Sequence, residues 1–455
     1  MTLLQPLPVF AVNLKSRPER RDHIRKEFDG RAEFMLTIVE AEEHERGAMG
    51  LWKTISKLLR TVAANQDDLL ILCEDDHQFT ADYSPALLLE GISRGRELGA
   101  DVVLGGVSWF SGALQVTDGL FWVDKFSGLQ FTVIYRKFFS TILDANFGPR
   151  DVPDYKIAAL TDHKFFIHPF ISTQREFGYS DATKNNNVAG HVDTLFRNSA
   201  ECAHSLKYIT DVYRDRRRLE EEKDVEIEED FSIPTYVIHS SGREDRLNHI
   251  QTEFSGKSEF SMTVVEATSY PATAQSLMLD IRKIVDTAES RGEEVIIICE
   301  DDHRFTEHHT RDYLMRNIVD AYTQNAEILS GGVGRFDQVV PVTESLYWVN
   351  SISHLQFIVL FRSVFAKVLD EPIGDITDIK EILTQVTSHK MLLFPFVSTK
   401  IIIDHQDSHV DSPADGSEQQ SLPEQFTTTS SRLDRILKKR KAFRQFQSAG
   451  VVEGA

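Results

Sequence analysis

The sequence repeats itself at a fixed offset, and this repeat limits the folds open to the chain more than any other feature. Residues 27–41 read EFDGRAEFMLTIVEA, and residues 253–267 read EFSGKSEFSMTVVEA, which is an offset of 226 (253 minus 27). The same offset relates Trp122 to Trp348 without a gap. Because each copy is as long as a whole domain, the pattern indicates a tandem duplication of one domain and not a solenoid of short repeats.

Each copy alternates short apolar runs with amphipathic segments. In the first copy, residues 9–14, 35–39 and 69–73 are predicted strands, and residues 17–28 and 50–64 are predicted helices. Alternation of this kind is typical of an α/β fold with a largely parallel sheet. We therefore predict two tandem α/β, Rossmann-like domains with mostly parallel central sheets.

The expected domain limits follow from composition as well as from the repeat. The two domains are predicted at residues 1–205 and 232–405, and the segment 206–231, which is nearly all charge from residue 213 to 230, is predicted to link them. Residues 406–455 are rich in Ser, Gln, Thr and Pro, and we expect a disordered tail. Within it, residues 432–446 have the pattern of a short basic amphipathic helix, for which contact with a membrane surface or a partner and plain solvation are both open.

Both copies place three acids and a histidine directly after an apolar run: Glu74-Asp75-Asp76-His77 and residues 300–303. Ligands of α/β sheets bind outside the carboxyl ends of the strands. Adjacent carboxylates repel one another, and hard divalent cations such as Mn²⁺ or Mg²⁺ take carboxylate oxygens. A single copy would fit a solvated acidic turn equally well, but two copies in the same context favour a metal site. The predicted metal ligands are Asp75, Asp76, Asp301 and Asp302.

Composition excludes several classes of function. The 455-residue chain has 70 acidic and 50 basic residues, and its net charge of -20 argues against nucleic acid as the main partner. The three cysteines do not suggest a disulfide framework or a cysteine zinc site. The sequence has no recognisable secretory signal and no run of ~20 apolar residues, so we expect a cytoplasmic protein.

Several short motifs, taken in chain order, resemble those of family 25 glycosyltransferases, the lipopolysaccharide and procollagen galactosyltransferase type. Residues 12–20 are similar to the family's N-terminal signature, and the glycine pair in 47–51 is similar to its second motif. Residues 72–76 resemble its E-D-D motif, Asp154 resembles its late P-x-D segment although Pro153 is adjacent here, and residues 178–181 resemble its closing S-D segment. The resemblance covers residues 8–185 and, more weakly, 234–400.

The resemblance implies tandem GT-A-like domains, a nucleotide-sugar donor, Mn²⁺ or Mg²⁺, and a glycan or peptide acceptor. A carboxylate-bound metal would neutralise the donor diphosphate and stabilise its departure. Asp76 is then the first choice as direct ligand, while His77 fits a ligand or a structural hydrogen-bonding partner equally well. Glycines at a helix start permit close approach of phosphate. The residues assigned to donor binding are Asn13, Leu14, Arg17, Arg20, Gly47, Gly50, Glu74, Asp75, Ser180 and Asp181.

The family transfers sugars with inversion, which requires a general base for the acceptor hydroxyl. We assign this role to Asp154 first, and to Asp151 or Asp162 as alternatives. Trp109, Phe110 and Trp122 have the chemistry to stack on a sugar, although core packing is the more frequent role of such residues. Phosphotransfer or nucleotidyl transfer would use the same acids.

The two copies are not equivalent. The second copy keeps its acids but has Thr273 and Ser276 in place of Gly47 and Gly50, and His239 in place of Asn13. We predict that the first copy is catalytic and that the second is degenerate or uses another donor. The remaining alternative is a non-catalytic nucleotide- or sugar-binding protein built on two degenerate domains.

Overall fold

Two eight-stranded sheets with the same strand order form the centres of two compact units in the computed structural model. The units are Met1–Ile209 with Arg440–Ala455, and Thr210–Lys439. We call them unit 1 and unit 2. The structure describes residues 6–64, 67–179, 184–219, 231–269, 273–352, 357–372, 386–401 and 422–452.

The elements of the first half alternate as predicted. In chain order they are β1 (Leu7–Asn13), α1 (Pro18–Phe28), β2 (Phe34–Glu40), α2 (Gly47–Ala64), β3 (Leu69–Glu74), β4 (His77–Phe79), α3 (Pro85–Glu97), β5 (Val102–Leu104), β6 (Trp109–Thr117), β7 (Leu120–Ser127), β8 (Phe131–Tyr135), α4 (Phe139–Asp144), α5 (Pro153–Leu160), β9 (Lys164–Ile167), β10 (Ser172–Gln174) and α6 (His191–Leu219).

The second half repeats the pattern. Its elements are β11 (Ile233–His239), α7 (Glu244–Phe254), β12 (Phe260–Glu266), α8 (Ala274–Arg291), β13 (Val295–Glu300), β14 (His303–Phe305), α9 (Arg311–Thr323), β15 (Ile328–Ser330), β16 (Val339–Pro341), β17 (Leu346–Val349), β18 (Phe357–Phe361), α10 (Phe365–Asp370), β19 (Lys390–Leu393), β20 (Ser398–Lys400) and α11 (Leu422–Val452).

The unit 1 sheet has the order β2-β1-β3-β8-β5-β9-β7-β6, and the unit 2 sheet has the corresponding order β12-β11-β13-β18-β15-β19-β17-β16. In unit 1, β1 is parallel to β2 and β3, and β5 is parallel to β9. β8 and β7 are antiparallel to their neighbours, so six of the eight strands run in one direction. The prediction of an α/β fold with Rossmann-like, mostly parallel sheets is confirmed for both units.

β3 lies inside the sheet because its apolar side chains are covered on both faces. Leu70, Ile71, Leu72 and Cys73 have no exposed surface. Strands that are buried on both faces are expected to be continuously apolar, as this one is. The carboxyl end of β3 therefore delivers its acids from a rigid, buried strand to one edge of the sheet.

Residues 422–452 of the predicted tail form one helix, and the rest of that tail, residues 406–421 and 453–455, lies outside the described residues. α11 is 31 residues long and extends beyond the predicted helix at both ends. Phe426, Leu433 and Ile436 recur at helical spacing and are buried, and the Phe426 ring contacts the ring of Phe396 in unit 2. Burial of this apolar stripe stabilises a helix that composition alone does not favour. Part of the predicted linker belongs to α6, and the rest lies outside the described residues.

Within the described ranges, no helix combines the length and the apolar character needed to cross a lipid bilayer.

Candidate functional site

The acids after β3 converge with residues from β1 and α1. The parallel register places Val12 beside Glu74, so Asn13 lies next to Asp75. Asn13 Nδ2 donates a hydrogen bond to Asp75 Oδ2 at 2.8 Å. Arg20 Nη1 donates to Asp75 Oδ1 and to Asp76 Oδ2, both at 3.1 Å. Within the described residues, Asp75 and Asp76 thus share the guanidinium of Arg20, whose single charge offsets one of their two when both are ionised.

Arg20 is directed at the acids and is enclosed by aromatic rings. Its Nη2 donates to the carbonyl oxygen of Tyr179 at 2.8 Å, and its guanidinium lies 4.7 Å from the ring centroids of Phe177 and Tyr179. Its side chain is only 6% exposed. In this arrangement Arg20 positions the carboxylates. Its predicted contact with donor phosphate remains a prediction.

Burial and the repulsion between neighbouring carboxylates raise the pKa values of two of these acids. Burial, and then the charge of Asp75, raise the pKa of Asp76 to about 6 against the opposing effect of Arg20. Burial raises the pKa of Glu74 well above its usual range, followed by the charges of Asp76, Asp154 and Asp75. Such shifts are expected for carboxylates that are withdrawn from water beside like charges.

Asp154 is the base candidate that lies closest to this cluster, because its charge contributes to the raised pKa of Glu74. Its Oδ2 accepts hydrogen bonds from Ser127 Oγ at 2.8 Å and from the Gly128 amide at 3.1 Å. The side chain is half-buried in the first turn of α5. Asp154 is therefore a fixed carboxylate at the edge of the acidic site.

The other base candidates have local partners. Asp151 accepts from the Gly148 amide and from Lys156 Nζ, both at 2.9 Å, and these bonds lower the pKa of its carboxyl. A carboxyl with a lowered pKa is a weak base. The carbonyl oxygen of Asp162 accepts a hydrogen bond from Trp122 Nε1 at 2.8 Å.

The aromatic candidates divide into two groups. Trp122 and Phe110 are buried in the core of unit 1. Trp109 is 45% exposed, and its ring packs edge-on against the ring of Tyr155, which is 51% exposed and follows Asp154 in the chain. Only Trp109, among the three aromatics predicted, is therefore available to a ligand beside Asp154.

The remaining donor-binding candidates occupy varied positions. Leu14 ends the strand region, and its carbonyl oxygen accepts from the Arg17 amide at 2.9 Å, while the Arg17 guanidinium lies 5.0 Å from the Tyr179 ring centroid. Gly47 begins α2. At Gly50, a Cβ atom would overlap the carbonyl oxygen of Glu42, so backbone packing requires glycine there. Ser180 and Asp181 lie outside the described residues.

His77 is a structural residue and not an exposed ligand. Its Nδ1 and the Ser172 hydroxyl lie 2.8 Å apart, and its ring packs among Phe28, Phe79 and Phe131. Burial lowers its pKa well below the usual range, which favours the neutral imidazole. Of the two roles predicted for His77, the geometry favours hydrogen bonding between strands.

The acids fit a cation that is held jointly by protein and substrate. Among the described residues, no group of three or more His, Cys, Asp or Glu side chains is arranged to hold a metal ion on its own. Mg²⁺-like ions, however, are usually held by one or two carboxylates together with phosphate oxygens and water. Asp76 Oδ1 is buried and has no hydrogen-bonding partner within the described ranges. Asp76, with Glu74 beside it, supplies ligands of this kind.

Gln174 was not identified from the sequence, although it touches the site. Its Nε2 donates to Glu74 Oε2 at 3.0 Å from the end of β10. The duplicated register could have revealed it, because the ungapped offset pairs Gln174 with Lys400 and so replaces a neutral amide with a charge.

Unit 2 holds its acids through a different set of cations. Asp301 accepts from Arg246 Nη1 and His239 Nδ1, both at 2.9 Å, as Asp75 does from Arg20 and Asn13 in unit 1. Lys400 Nζ lies 2.6 Å from Glu300 Oε2 and 3.3 Å from Asp302 Oδ2. The predicted metal ligands of this unit are thus already paired with side-chain cations.

Comparisons with known proteins define no family. No family model matches the chain, and no curated protein matches it by sequence. Among solved structures, the chain is similar to A197 from STIV (12% identity, 37% of this chain and 86% of that chain, TM-score 0.27). It is also similar to UDP-glucose pyrophosphorylase complexed with UDP-glucose (10% identity, 42% and 81%, TM-score 0.27).

A third similar structure is mannosyltransferase PcManGT from Pyrobaculum calidifontis in complex with GDP-Man and Mn²⁺ (15% identity, 40% of this chain and 61% of that chain, TM-score 0.23). Values this low establish neither a shared family nor a shared activity.

Proposed function

We propose that unit 1 is a metal-dependent glycosyltransferase domain with a GT-A-like site. It would move a hexose from a UDP-linked nucleotide sugar to a hydroxyl of a saccharide or peptide with inversion, as the resemblance to family 25 implies. The observation that carries the proposal is the buried cluster Glu74, Asp75 and Asp76 at a strand end, with the fixed carboxylate Asp154 beside it.

The side chains have distinct roles in this proposal. Asp76 and Glu74 hold the divalent cation, and Arg20 and Asn13 fix the orientation of Asp75. The cation, when bound, offsets the charge of the donor diphosphate and stabilises it as a leaving group. Asp154 accepts the proton of the acceptor hydroxyl. Hydrogen bonds from Ser127 and Gly128 to its Oδ2 fix the direction of this carboxylate. Trp109 and Tyr155 flank this base with exposed aromatic surface suited to a sugar ring.

The test is release of nucleotide from a panel of nucleotide sugars by the full chain with Mn²⁺, with and without saccharide acceptors. We expect Asp76→Asn to abolish Mn²⁺-dependent release, because it removes a ligand charge while preserving shape. The matched substitution Asp302→Asn in unit 2 should leave release unchanged. Asp154→Asn should reduce transfer by roughly 10²- to 10⁴-fold, as expected for loss of a general base, while Mn²⁺-dependent donor binding persists.

Three results would contradict this assignment in different ways. Equal losses in Asp76→Asn and Asp302→Asn would remove the distinction between the units. Formation of pyrophosphate or of a nucleotidyl product would indicate nucleotidyl transfer. Donor binding, measured as a rise in melting temperature, without any turnover would indicate a binding protein instead.

A further inference from the structure

Lys400 is a buried cation inside the acidic site of unit 2. Its ammonium lies between Glu300 Oε2, at 2.6 Å, and Asp302 Oδ2, at 3.3 Å. The Lys400 side chain is 11% exposed. Lys400 is the last residue of β20, and in the strand register it pairs with His303 at the start of β14. One side chain thus bridges the first and third acids of the motif.

The corresponding residue of unit 1 has no charge. The offset of 226 relates Lys400 to Gln174, and the register of β10 on β4 pairs Gln174 with His77 in the same manner. Among the described residues, Gln174 Nε2 donates to Glu74 Oε2 at 3.0 Å. Asp76 and its counterpart Asp302 each keep one buried oxygen, Oδ1, without a hydrogen-bonding partner in the described part of the chain, so the two sites differ in the nearby ammonium and not in this oxygen.

Arg20 and Arg246 bind Asp75 and Asp301 from the equivalent helices α1 and α7, and Arg20 also reaches Asp76 Oδ2 at 3.1 Å. Among the described residues, the hydrogen bonds and ion pairs bring one Arg or Lys to the acids of unit 1, Arg20, and two to those of unit 2, Arg246 and Lys400. The residue at the end of β10 or β20 accounts for this difference in charge.

We infer that the Lys400 ammonium occupies, in unit 2, the place that a divalent cation takes in unit 1. The chain therefore binds one such cation. The side chain at position 174 in unit 1, or at position 400 in unit 2, decides whether that unit binds it. This inference rests on the proposed metal-dependent function of unit 1. In unit 2 a divalent ion would face the ammonium directly and would have to displace it from both carboxylates.

The geometry also predicts that the difference can be exchanged between units. A lysine at position 174 would extend from the same strand end toward Glu74 and Asp76, as Lys400 does toward Glu300 and Asp302. A glutamine at position 400 would remove the ammonium that Glu300 and Asp302 share. A unit should therefore bind the ion when the residue at position 174 or 400 is glutamine, and should not bind it when that residue is lysine.

The experiment counts bound Mn²⁺ per full chain by equilibrium dialysis with UDP at the same concentration on both sides, because the acids are expected to hold the cation together with phosphate oxygens. We expect one ion for the natural chain, none for Gln174→Lys, two for Lys400→Gln and one for the double exchange. The control Lys400→Arg keeps the charge and should bind one ion. Circular dichroism and melting temperature establish that each variant is folded, and the double exchange restores the total charge if a single variant is unstable.

The outcomes separate the two claims. If the natural chain binds one ion and Gln174→Lys still binds one, the role of position 174 is wrong while the proposed function stands. Two ions on the natural chain would likewise overturn the inference. If neither the natural chain nor Lys400→Gln binds Mn²⁺, both the inference and the metal-dependent function are wrong.

Discussion

Gly50 is constrained by the backbone that faces it and not by its own conformational freedom. Helix α2 approaches the segment after β2 so closely that a methyl group at position 50 would overlap the Glu42 carbonyl oxygen. The same contact is tied by Thr54, whose hydroxyl accepts the Glu42 amide at 2.8 Å. The glycine therefore fixes how α2 enters the fold, whether or not phosphate also approaches it.

Replacing this glycine provides the first test at residue scale. Gly50→Ala should destabilise unit 1 by about 1–3 kcal/mol, the usual cost of overpacking. In a domain of this size that corresponds to roughly 2–4 °C in melting temperature per kcal/mol. Thermal unfolding followed by circular dichroism measures it, and Lys53→Ala, an exposed position on the same helix, serves as control. An unchanged melting temperature for Gly50→Ala would mean that α2 moves freely away from Glu42.

Single residues also show where sequence reasoning reached its limit. Asp75 and Asp76 were identified because three acids follow an apolar run in both copies, and Asp154 because its segment resembles the late P-x-D segment of family 25 glycosyltransferases. Arg20 was assigned to phosphate or base, which stays a prediction, but its hydrogen bonds to Asp75 and Asp76 were not foreseen. The sequence cannot show which charges pair, since partners 55 residues apart meet only after the strands and helices have packed.

At the scale of elements, short buried strands were the most predictable part of the fold. β3 and β13 are apolar runs that end in charge, and helix periodicity identified α2. The direction of β7 and β8 was not predictable, because an antiparallel strand that is covered on both faces has the same apolar sequence as a parallel one. In unit 1 these two strands run opposite to the other six.

The stability of helix α11 should come from the packing of its buried side chains and not from its composition, and this can be tested by substitution. Leu433 has no exposed surface, and the neighbouring Thr429 and Arg432 donate to the carbonyl oxygens of Gly334 and Phe336. Leu433→Ala should cost about 2–5 kcal/mol, the usual range for a buried leucine. Limited proteolysis would detect earlier cleavage within α11, while the exposed control Asp434→Ala should cleave at the natural rate. Equal cleavage in both variants would show that Leu433 does not anchor the helix.

At the scale of the whole molecule, both units bury neutral histidines at positions where the other unit has another aromatic residue. Burial lowers the pKa of His168 to about 4, and the corresponding residue in unit 2 is Phe394. Burial also lowers the pKa of His309 to about 4, and the corresponding residue in unit 1 is Tyr83. Each histidine can therefore be replaced by the aromatic residue that the other unit has at the equivalent position.

These histidines predict loss of stability in acid. A folded-state pKa near 4, below the unfolded value of about 6.5, means that the stabilising contribution is complete above pH 6.5 and is lost as the pH falls toward 4. Because partial solvent access weakens the effect, we expect a loss of about 1 kcal/mol per histidine at pH 5. The double variant His168→Phe/His309→Tyr should show a smaller fall in melting temperature between pH 7.5 and 5 than the natural chain.

The natural chain must be compared with the double variant because Asp76 and Asp302 have the opposite effect on stability as the pH falls. The raised pKa of each, to about 6, means that folding favours their protonated forms, which offsets part of the acid sensitivity. Both proteins keep these carboxyls, so their difference reports the histidines. Identical pH profiles would contradict the assignment.

The matched strand registers have a consequence for how the chain folds. β1 pairs with β2 from Leu7–Phe34 to Asn13–Glu40, and β11 pairs with β12 over the same seven positions, from Ile233–Phe260 to His239–Glu266. In an unfolded chain, β1 can therefore meet β12, or β11 can meet β2, with every hydrogen bond in register. Exchange of equivalent strands is a characteristic misfolding route of repeat proteins. Sequence differences between equivalent strands, such as Thr235 where the first copy has Val9, should make the exchanged pairs pack less well. Divergence between the copies would then direct each strand to its own sheet.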